Sequence, residues 1–319
     1  MPCHESLFCT SPKAYGNQKY LGKFSYYLRL EELRNSRQGA KNIPFSRPSD
    51  ILKLIGFATL LKIGHKVGMC TLVINRRPDH RWPLLIAANR DENTNRAWKA
   101  PDRHWPDRPE VVAGMDELAG GTWLGVNDHG VVSAVLNRKN SLGHDPRLRS
   151  RGELVLDALD HSDALDATHA LLELEPAAYR SFNLFVADNR DAWWIRSTGP
   201  DAPKVDAFEI PEGVSMLTSI GLNNHKSLRT KHYLPMFRDA QAPQPDKGEW
   251  ATWERLMRAK EVPNGAGPEE AMFILPDSGY GTISSSLIAA EAPNQRKPMV
   301  IWRFSAEPNI ENSFHTINL

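Results

Sequence analysis

Three pairs of short apolar runs, each pair joined by a short polar stretch, dominate the pattern of hydrophobic and polar positions along the chain. Two such runs joined by a turn predict a β-hairpin. The three predicted hairpins cover residues 71–88, 122–136 and 182–195, and two further strand-like runs, 282–290 and 299–304, close the chain. The pattern therefore predicts antiparallel strands over much of the sequence.

Helical stretches lie between and after these hairpins. Ser150 and Asp163 each precede a helical run, and both residue types are good N-caps. Residues 248–259 and 268–275 are further helix candidates. The order of the elements predicts an α+β layered domain: hairpins come first, helices follow in the middle and late parts, and a pair of strands closes the chain. The β-α-β alternation of a parallel sheet is not seen.

Residues 1–68 are more polar than the rest and show neither a helical nor a strand period up to Asp50. The longest apolar run, Ile51–Ile63, is interrupted by two lysines and is shorter than the about 20 residues of a membrane span. We expect residues 1–68 to be an extension, either a leader removed before Cys70 or a start assigned too far upstream. The alternative is a genuine appended segment with one short helix. Residues 69–319 are the predicted domain.

Charge and cysteine content narrow the classes of function. The 39 Lys and Arg residues nearly balance 38 Asp and Glu residues, which leaves a net charge of +1. This balance gives no global reason to bind nucleic acid or an anionic membrane. Three cysteines do not make a disulfide framework, so we expect a cytoplasmic protein without a transmembrane segment.

Cys70 is the only cysteine from Met69 to the end of the chain, and it opens the first strand-like run. If the chain begins at Cys70, the residue carries a thiol and a free α-amine, which is the N-terminal-nucleophile arrangement. Their ordinary pKa values, about 8.5 and about 7.7–8.0, allow proton exchange near neutral pH. If the upstream residues stay attached, the nitrogen is an amide and is no base. The other interpretation is a small buried apolar side chain.

Four polar residues, Asn89-Arg90-Asp91-Glu92, follow the second strand-like run. Side chains at a strand end can project into a pocket. Asp91 could hold the α-ammonium of Cys70, and Arg90 could lower the pKa of the thiol or bind a substrate carboxylate. The alternative is a turn with solvated charges.

An ordered set of motifs from Met69 onward resembles the NRDE family, which is the family of the transport and Golgi organization protein. The four-residue motif alone is weak, but the set at these spacings is specific. Its members are Met69-Cys70-Thr71, Asn89-Arg90-Asp91-Glu92, Gly121-Thr122-Trp123-Leu124-Gly125, Asn127 through Asn137-Arg138, Tyr280-Gly281-Thr282 and Ser284-Ser285-Ser286.

That family is in turn similar to the N-terminal-nucleophile hydrolases, which are four-layer αββα sandwiches of antiparallel sheets. The similarity to enzymes that split linear amides, such as penicillin V and bile-salt hydrolases, implies that Cys70 is the nucleophile and that Asp91 orients its amine. It also implies that Asn137 is an oxyanion-hole donor. We assign substrate contacts to the remaining motif residues and to one aromatic side chain. These are Asn89, Arg90, Glu92 and Trp123.

Two departures from the hydrolase pattern are visible. Those enzymes carry an arginine three residues before the aspartate, where this chain has Ala88, and an asparagine where it has Thr218-Ser219. Asn223 or Asn224 could replace the latter. The basic stretch that includes Arg229 is predicted to be a solvent-facing surface.

The resemblance implies two classes of function. The first is a non-catalytic or weakly catalytic protein linked to haem or lipid (acyl-coenzyme A) trafficking and to Golgi organisation and secretion. The second is a cysteine amidohydrolase that cleaves linear amide or acyl bonds through a thioester on Cys70. No cofactor is required in either case. Haem is a candidate cargo, although the chain lacks the Cys-Pro and Cys-x-x-Cys-His signatures of haem attachment.

Overall fold

The computed structural model describes residues 70–143, 145–293 and 299–319. The predicted extension, including the apolar run Ile51–Ile63, lies outside these ranges. Within them the chain forms fourteen strands, four α-helices and short 3₁₀ turns. The strands are β1 (Thr71–Arg76), β2 (Leu84–Asn93), β3 (Trp98–Asp102), β4 (Val111–Asp116), β5 (Leu124–Asn127), β6 (Val132–Asn137), β7 (Phe182–Ala187), β8 (Ala192–Ser197), β9 (Asp206–Glu209), β10 (Gly213–Thr218), β11 (Gly221–Leu222), β12 (Tyr280–Ala290), β13 (Val300–Ser305) and β14 (His315–Thr316). The helices are α1 (Gly152–Leu159), α2 (Ala164–Leu172), α3 (Leu228–Asp239) and α4 (Ala251–Met257).

The strands form two sheets of seven strands, and all of the pairings between them are antiparallel. The first sheet has the order β11-β10-β1-β2-β12-β13-β14, and the second has the order β3-β4-β5-β6-β7-β8-β9. The three predicted hairpins are β1–β2, β5–β6 and β7–β8, so these predictions are confirmed. The first sheet also joins strands that are far apart in sequence, such as β2 and β12.

Three apolar clusters define four layers. One cluster fills the space between the sheets and includes Ile74, Phe185 and Phe304. A second joins the second sheet to α1 and α2, and a third joins the first sheet to α3 and α4 around Trp253. Because the side chains of a strand alternate between its faces, each sheet buries both faces. The chain is therefore an α+β sandwich of the αββα kind, as predicted.

The predicted cap of α2 at Asp163 is confirmed, whereas the N-cap of α1 is Arg151, which makes no side-chain cap hydrogen bond. The Asp163 carboxylate accepts hydrogen bonds from Leu165 N and Asp166 N at 2.8 and 3.2 Å, which satisfies two free amides of α2. The Ser150 hydroxyl accepts from Gly152 N at 3.2 Å where α1 begins. The predicted helix over 268–275 is wrong, because only Pro268–Glu270 forms a 3₁₀ turn. Residues beyond it bond to β12, where Ile274 N donates to the Thr282 hydroxyl.

Strand β2 is longer than its apolar run and carries the motif Asn89-Arg90-Asp91-Glu92 within it, not in a turn after it. The polar end of β2 pairs with the start of β12, so its backbone groups are satisfied in the sheet. The register between the two strands shifts by one residue between Thr282 and Ser284, which is a β-bulge at Ile283.

Candidate functional site

Cys70 lies where β1 begins and faces the second sheet. Leu72 and Ile74, further along the strand, belong to the core between the sheets, and the half-buried Cys70 packs against the same core. The intervening Thr71 and Val73 contact the helix layer, as strand alternation requires. The thiol therefore faces the space between the two sheets.

The backbone of β2 contacts this thiol. Asp91 N donates to Cys70 Sγ at 3.4 Å, and the thiol donates to Asp91 O at 3.5 Å. The same carbonyl accepts from the Tyr280 hydroxyl at 2.8 Å. Burial, together with the negative charges of Asp91 and Glu92, raises the pKa of the Cys70 thiol to about 12 against the opposing effects of Asp91 N–H and Arg90. In a chain that continues upstream of Cys70, this thiol is protonated at neutral pH.

Arg90 is the cation beside the thiol. The register pairs Thr71 with Asn89, which places Arg90 next to Cys70 on the adjoining strand. Its guanidinium carbon lies 3.7 Å from the ring centroid of Trp123, and the residue is only 6% exposed. Arg90 Nη1 is buried and has no hydrogen-bond partner in the described part of the chain. A buried charged donor in this state is suited to an anionic or carbonyl oxygen of a ligand.

Cys70 and Arg90 line one cavity between the sheets. Its volume is about 340 Å³ with its mouth, but only about 20 Å³ can hold the centre of a water molecule. The cavity therefore has room for about one water molecule. Most of its walls are apolar, with two serine residues from β12. The further lining residues include Leu72, Ala88, Trp123, Leu124, Ala134, Leu136, Ser284 and Ser286.

Asp91 lies on the other face of β2, toward the helices. Its Oδ1 accepts from the Thr282 hydroxyl at 2.6 Å, and its Oδ2 pairs with Arg229 Nη1 at 3.1 Å. Both side chains of this ion pair are fully buried. Burial raises the pKa of the Asp91 carboxyl, while the charge of Arg229 and the hydrogen bonds oppose that rise. Both oxygens already have partners, and the role of Asp91 in holding an amine stays a prediction.

Arg229 is the residue that the sequence reasoning placed wrongly. The stretch around it was predicted to face solvent, but Arg229 is fully buried on α3. Its Nη1 also donates to the Thr71 hydroxyl at 2.6 Å, and its Nη2 donates to Glu269 O at 2.6 Å. It thereby links β1 and β2 to α3. A lone arginine in a polar helical stretch gives no signal that a carboxylate more than a hundred residues away is its partner.

The other predicted contact residues of β2 have separate positions. Asn89 shares the helix-facing side with Asp91, where its Nδ2 donates to Met257 O and Met272 O at 3.0 and 2.8 Å. Its Oδ1 accepts from the Ser285 hydroxyl. Glu92 is half-buried and lies 3.8 Å from Arg96 in an ion pair. Asn89 also lines the Cys70 cavity, together with Arg90, and the predicted substrate contacts of Asn89 and Glu92 stay predictions.

Asn137, the predicted oxyanion donor, ends β6. Ala134 and Leu136 of the same strand belong to the core between the sheets and line the cavity. Strand alternation places Asn137 on the opposite face, and it pairs in register with Phe182, which packs against the helices. No contact among the described residues joins its side chain to Cys70, so its role stays a prediction.

Two further arginines lie near the cavity. Arg151 Nη1 donates to Ser141 O, Ser141 Oγ and Ser181 O at 2.8–3.1 Å. Burial and the charge of Arg180 lower the pKa of Arg151 to about 10, while Cys70 is among the groups that oppose the change. Within the described ranges neither Arg151 nor Arg180 forms an ion pair with a carboxylate. The thiol therefore has cationic neighbours, Arg90 and Arg151, as well as the anionic Asp91 and Glu92.

An asparagine that sequence reasoning missed connects the two sheets. Asn183 of β7 is fully buried, its Nδ2 donates to Thr218 O at 2.8 Å, and its Oδ1 accepts from Arg138 Nη1. Asn223 instead closes the β10–β11 turn, where its side chain bonds to Met216 N and Ser215 Oγ. Asn224 Oδ1 accepts from a nearby backbone amide in a turn.

No group of three or more metal-ligating side chains occurs in the described ranges. His104 Nε2 contacts Ala100 O at 2.8 Å, and His129 Nε2 contacts Glu110 at 3.1 Å. Neither histidine lines the Cys70 cavity. A helix long and apolar enough for a membrane span is absent from the part of the chain that the structure describes.

A sequence model of the family described as Transport and Golgi organisation 2 matches residues 69–299. The chain is also similar to three curated relatives. It is 37% identical over 110 residues to the Transport and Golgi organization 2 homolog of Mus musculus, and 38% identical over 114 residues to the Transport and Golgi organization protein 2 homolog of Bos taurus. The Homo sapiens homolog is 36% identical over 110 residues. Each alignment covers 33% of this chain and 38% of the relative, so the chain spans well under half the length of the relatives it matches.

Two solved structures resemble the chain at a TM-score of 0.45 and 11% sequence identity. One is a Caenorhabditis elegans N-acylethanolamine-hydrolyzing acid amidase ortholog, with 76% of this chain and 95% of that chain covered. The other is a mutant of conjugated bile acid hydrolase from Clostridium perfringens, with 78% and 92% covered. The four layers described above follow from the strand pairing and the core clusters themselves.

Proposed function

This chain belongs to the Transport and Golgi organisation 2 family, and on that premise we propose that it serves transport and Golgi organisation as a mainly non-catalytic, cytoplasmic protein that binds an acyl lipid ligand. One observation carries the proposal. Arg90 Nη1 is a buried charged donor without a partner in the described ranges, and it lines a mainly apolar cavity. An acyl ligand offers a carboxylate or carbonyl for the donor and a chain for the apolar walls.

The state of Cys70 favours binding over catalysis in the intact chain. Its nitrogen is bonded to Met69, so the residue has no α-amine to act as a base. The pKa of its thiol, about 12, leaves almost no thiolate at neutral pH. A ligand carbonyl beside Arg90 would therefore be held without being attacked.

The narrow cavity favours an acyl ligand over haem as cargo. Only about 20 Å³ of it can hold the centre of a water molecule. A flat macrocycle would have to part the two sheets, whereas an acyl chain is as thin as the side chains that it would displace. Arg90 and Arg151, whose charges interact with Cys70, would favour an anionic headgroup such as that of an acyl-coenzyme A.

Isothermal titration of the full chain with decanoate and decanoyl-coenzyme A tests the proposal. We expect binding of at least one of them and a loss of about tenfold or more in the Arg90→Met variant, because a hydrogen bond to a charged group contributes about 1.5–3 kcal/mol. Arg147→Met is the matched control, since that side chain is 85% exposed. Failure of both ligands to bind, or equal affinity of the Arg90 variant, would refute the proposal. A Soret shift on adding haemin would instead support haem as cargo.

A second function, amide or acyl hydrolysis, is favoured by the position of Cys70 at the start of β1 and in the cavity. In a chain that begins at Cys70, the free amine would take the thiol proton and the sulfur would attack the carbonyl carbon. The tetrahedral intermediate would break its bond to the amine or thiol half of the substrate, which leaves with that proton. Water would then hydrolyse the thioester to the free acid and restore the thiol. The oxyanion would be held by Arg90, or by Asn137 as predicted. Comparison of this shortened chain with the full chain and with Cys70→Ala on amide and thioester substrates tests the idea. Equal activity of the Cys70→Ala variant would exclude it.

A further inference from the structure

A stack of three residues crosses the site. The guanidinium of Arg90 lies on the ring of Trp123 at 3.7 Å, and the outer atoms of the benzo ring lie against Gly114 of β4. The benzo-ring atoms Cη2, Cζ2 and Cζ3 of Trp123 would all be within 3.0 Å of a Cβ on Gly114. Trp98 packs edge-on against Trp123, with the ring centroids 5.7 Å apart. The tryptophan is thus held on two sides and leaves one face for the guanidinium.

Gly114 is needed here for space and not for backbone freedom. Its φ lies outside the positive region, unlike that of Gly120 or Gly130. An alanine at this position would therefore meet no backbone penalty. Its methyl group would clash with the benzo ring of Trp123. That ring is rigid, so the clash cannot be relieved by rotation of a flexible side-chain end. A substitution at Gly114 consequently acts through Trp123.

We propose that Gly114 is a positioning residue for Arg90: the missing Cβ lets the Trp123 ring lie against β4, and the ring holds the guanidinium beside the Cys70 cavity. The proposal rests on the proposed function only in that Arg90 is taken as the ligand anchor. It also explains why a charged side chain that is 6% exposed keeps one orientation without a carboxylate partner in the described ranges. The face of an indole supplies part of the stabilisation that a counter-ion would give.

The position of Arg90 can be measured without a ligand. The side-chain N–H resonances of a guanidinium stacked on an indole are shifted upfield, and they can be recorded in the full chain labelled with ¹⁵N-arginine and assigned through Arg90→Lys. We expect Gly114→Ala to remove this shift. In Trp123→Phe, which lacks the reach of the benzo ring, the added methyl group has space, so Gly114→Ala should change little in that background. The proposal is wrong if Gly114→Ala keeps the wild-type shift, or if its effect is undiminished in the Trp123→Phe protein.

Ligand binding supplies a second measurement that separates positioning from general damage. We expect Gly114→Ala to weaken decanoate binding roughly tenfold, within the range of a desolvated cation–π contact, and to weaken binding of the neutral decanol clearly less, because Trp123 also lines the cavity. Gly125→Ala is the matched control, because its Cβ would meet Leu159 and Ala113 and not Trp123. If Gly114→Ala does not fold, Trp123→Leu should lose the same upfield shift, and retention of the shift would overturn the proposal. A wild-type protein that binds neither probe refutes the proposed function, while the resonance shifts still decide the role of Gly114.

Discussion

Replacement of Arg229 by methionine should destabilise the fold strongly. Arg229 Nη1 lies 3.1 Å from Asp91 Oδ2, and both side chains are fully buried. Removing one partner of such a pair leaves a buried charge without compensation, which costs about 3–5 kcal/mol. This loss is a large share of the about 5–15 kcal/mol that stabilises a typical domain. Urea unfolding followed by tryptophan fluorescence measures it.

The loss should also depend on pH in a defined direction. Burial raises the pKa of Asp91 in the folded protein, and the charge of Arg229 opposes the rise. The folded state therefore keeps this proton at pH values where the unfolded chain has released it, so ionisation of Asp91 lowers stability as the pH rises above about 4. Without Arg229 the folded-state pKa is higher still. The difference in stability between wild type and Arg229→Met should consequently grow as the pH rises from about 4.

A double-mutant cycle identifies the cause of the loss. If the uncompensated carboxylate is responsible, then Asp91→Asn in the Arg229→Met background should recover about 1–3 kcal/mol relative to the sum of the single effects. Arg147→Met serves as the surface control. A cost below about 1 kcal/mol for Arg229→Met, or additive single effects, would show that the pair is not coupled as the structure indicates.

Three further predictions concern the thiol and the buried amides. In a full chain whose two other cysteines are replaced, alkylation of Cys70 should be slow at about pH 8 and rise about tenfold per pH unit up to the pKa of about 12; a plateau below about pH 9 would contradict this. Asn89→Leu should cost about 2–4 kcal/mol in urea unfolding, because two buried carbonyls lose their donor; a cost under about 1 kcal/mol would mean that water replaces the amide. Asn183→Leu should cost about 1–3 kcal/mol and speed amide hydrogen exchange in β10, since Thr218 O loses its bond to the other sheet; unchanged exchange would refute the link.

The hairpins could be predicted because their information is local. Residues 182–187 and 192–195 form two apolar runs around a polar turn, and the strands that pair are neighbours in sequence. The N-cap of α2 at Asp163 could be predicted for the same reason, since its carboxylate accepts hydrogen bonds from amides two and three residues later. The extension of β2 through its polar end could not be predicted from the sequence. Its pairing partner, β12, begins at Tyr280, and a polar sequence alone does not reveal it.

The site was predicted in part for the same reason. One hairpin, β1–β2, brings Cys70 and Arg90 together in the cavity. The sequence analysis had named both as site residues. Arg229 and Thr282 reach Asp91 from distant elements, so their roles depend on the tertiary fold. The basic composition of the stretch around Arg229 led to the prediction that it faces solvent. The buried carboxylate of Asp91, which pairs with Arg229, explains why this arginine is buried instead.

The bulge at Ile283 shifts the alternation of side chains along β12 by one residue. Before it, Thr282 is opposite Asp91, and after it Ser285 is opposite Asn89, so both hydroxyls support β2 from the same face. In an uninterrupted strand, residues three apart would point to opposite faces. A strand of the same length that paired regularly at this point would therefore turn one hydroxyl away from its partner. Deletion of Ile283 would leave the two hydroxyls two residues apart and on the same face, so the bulge is what reconciles a three-residue spacing on β12 with a two-residue spacing on β2.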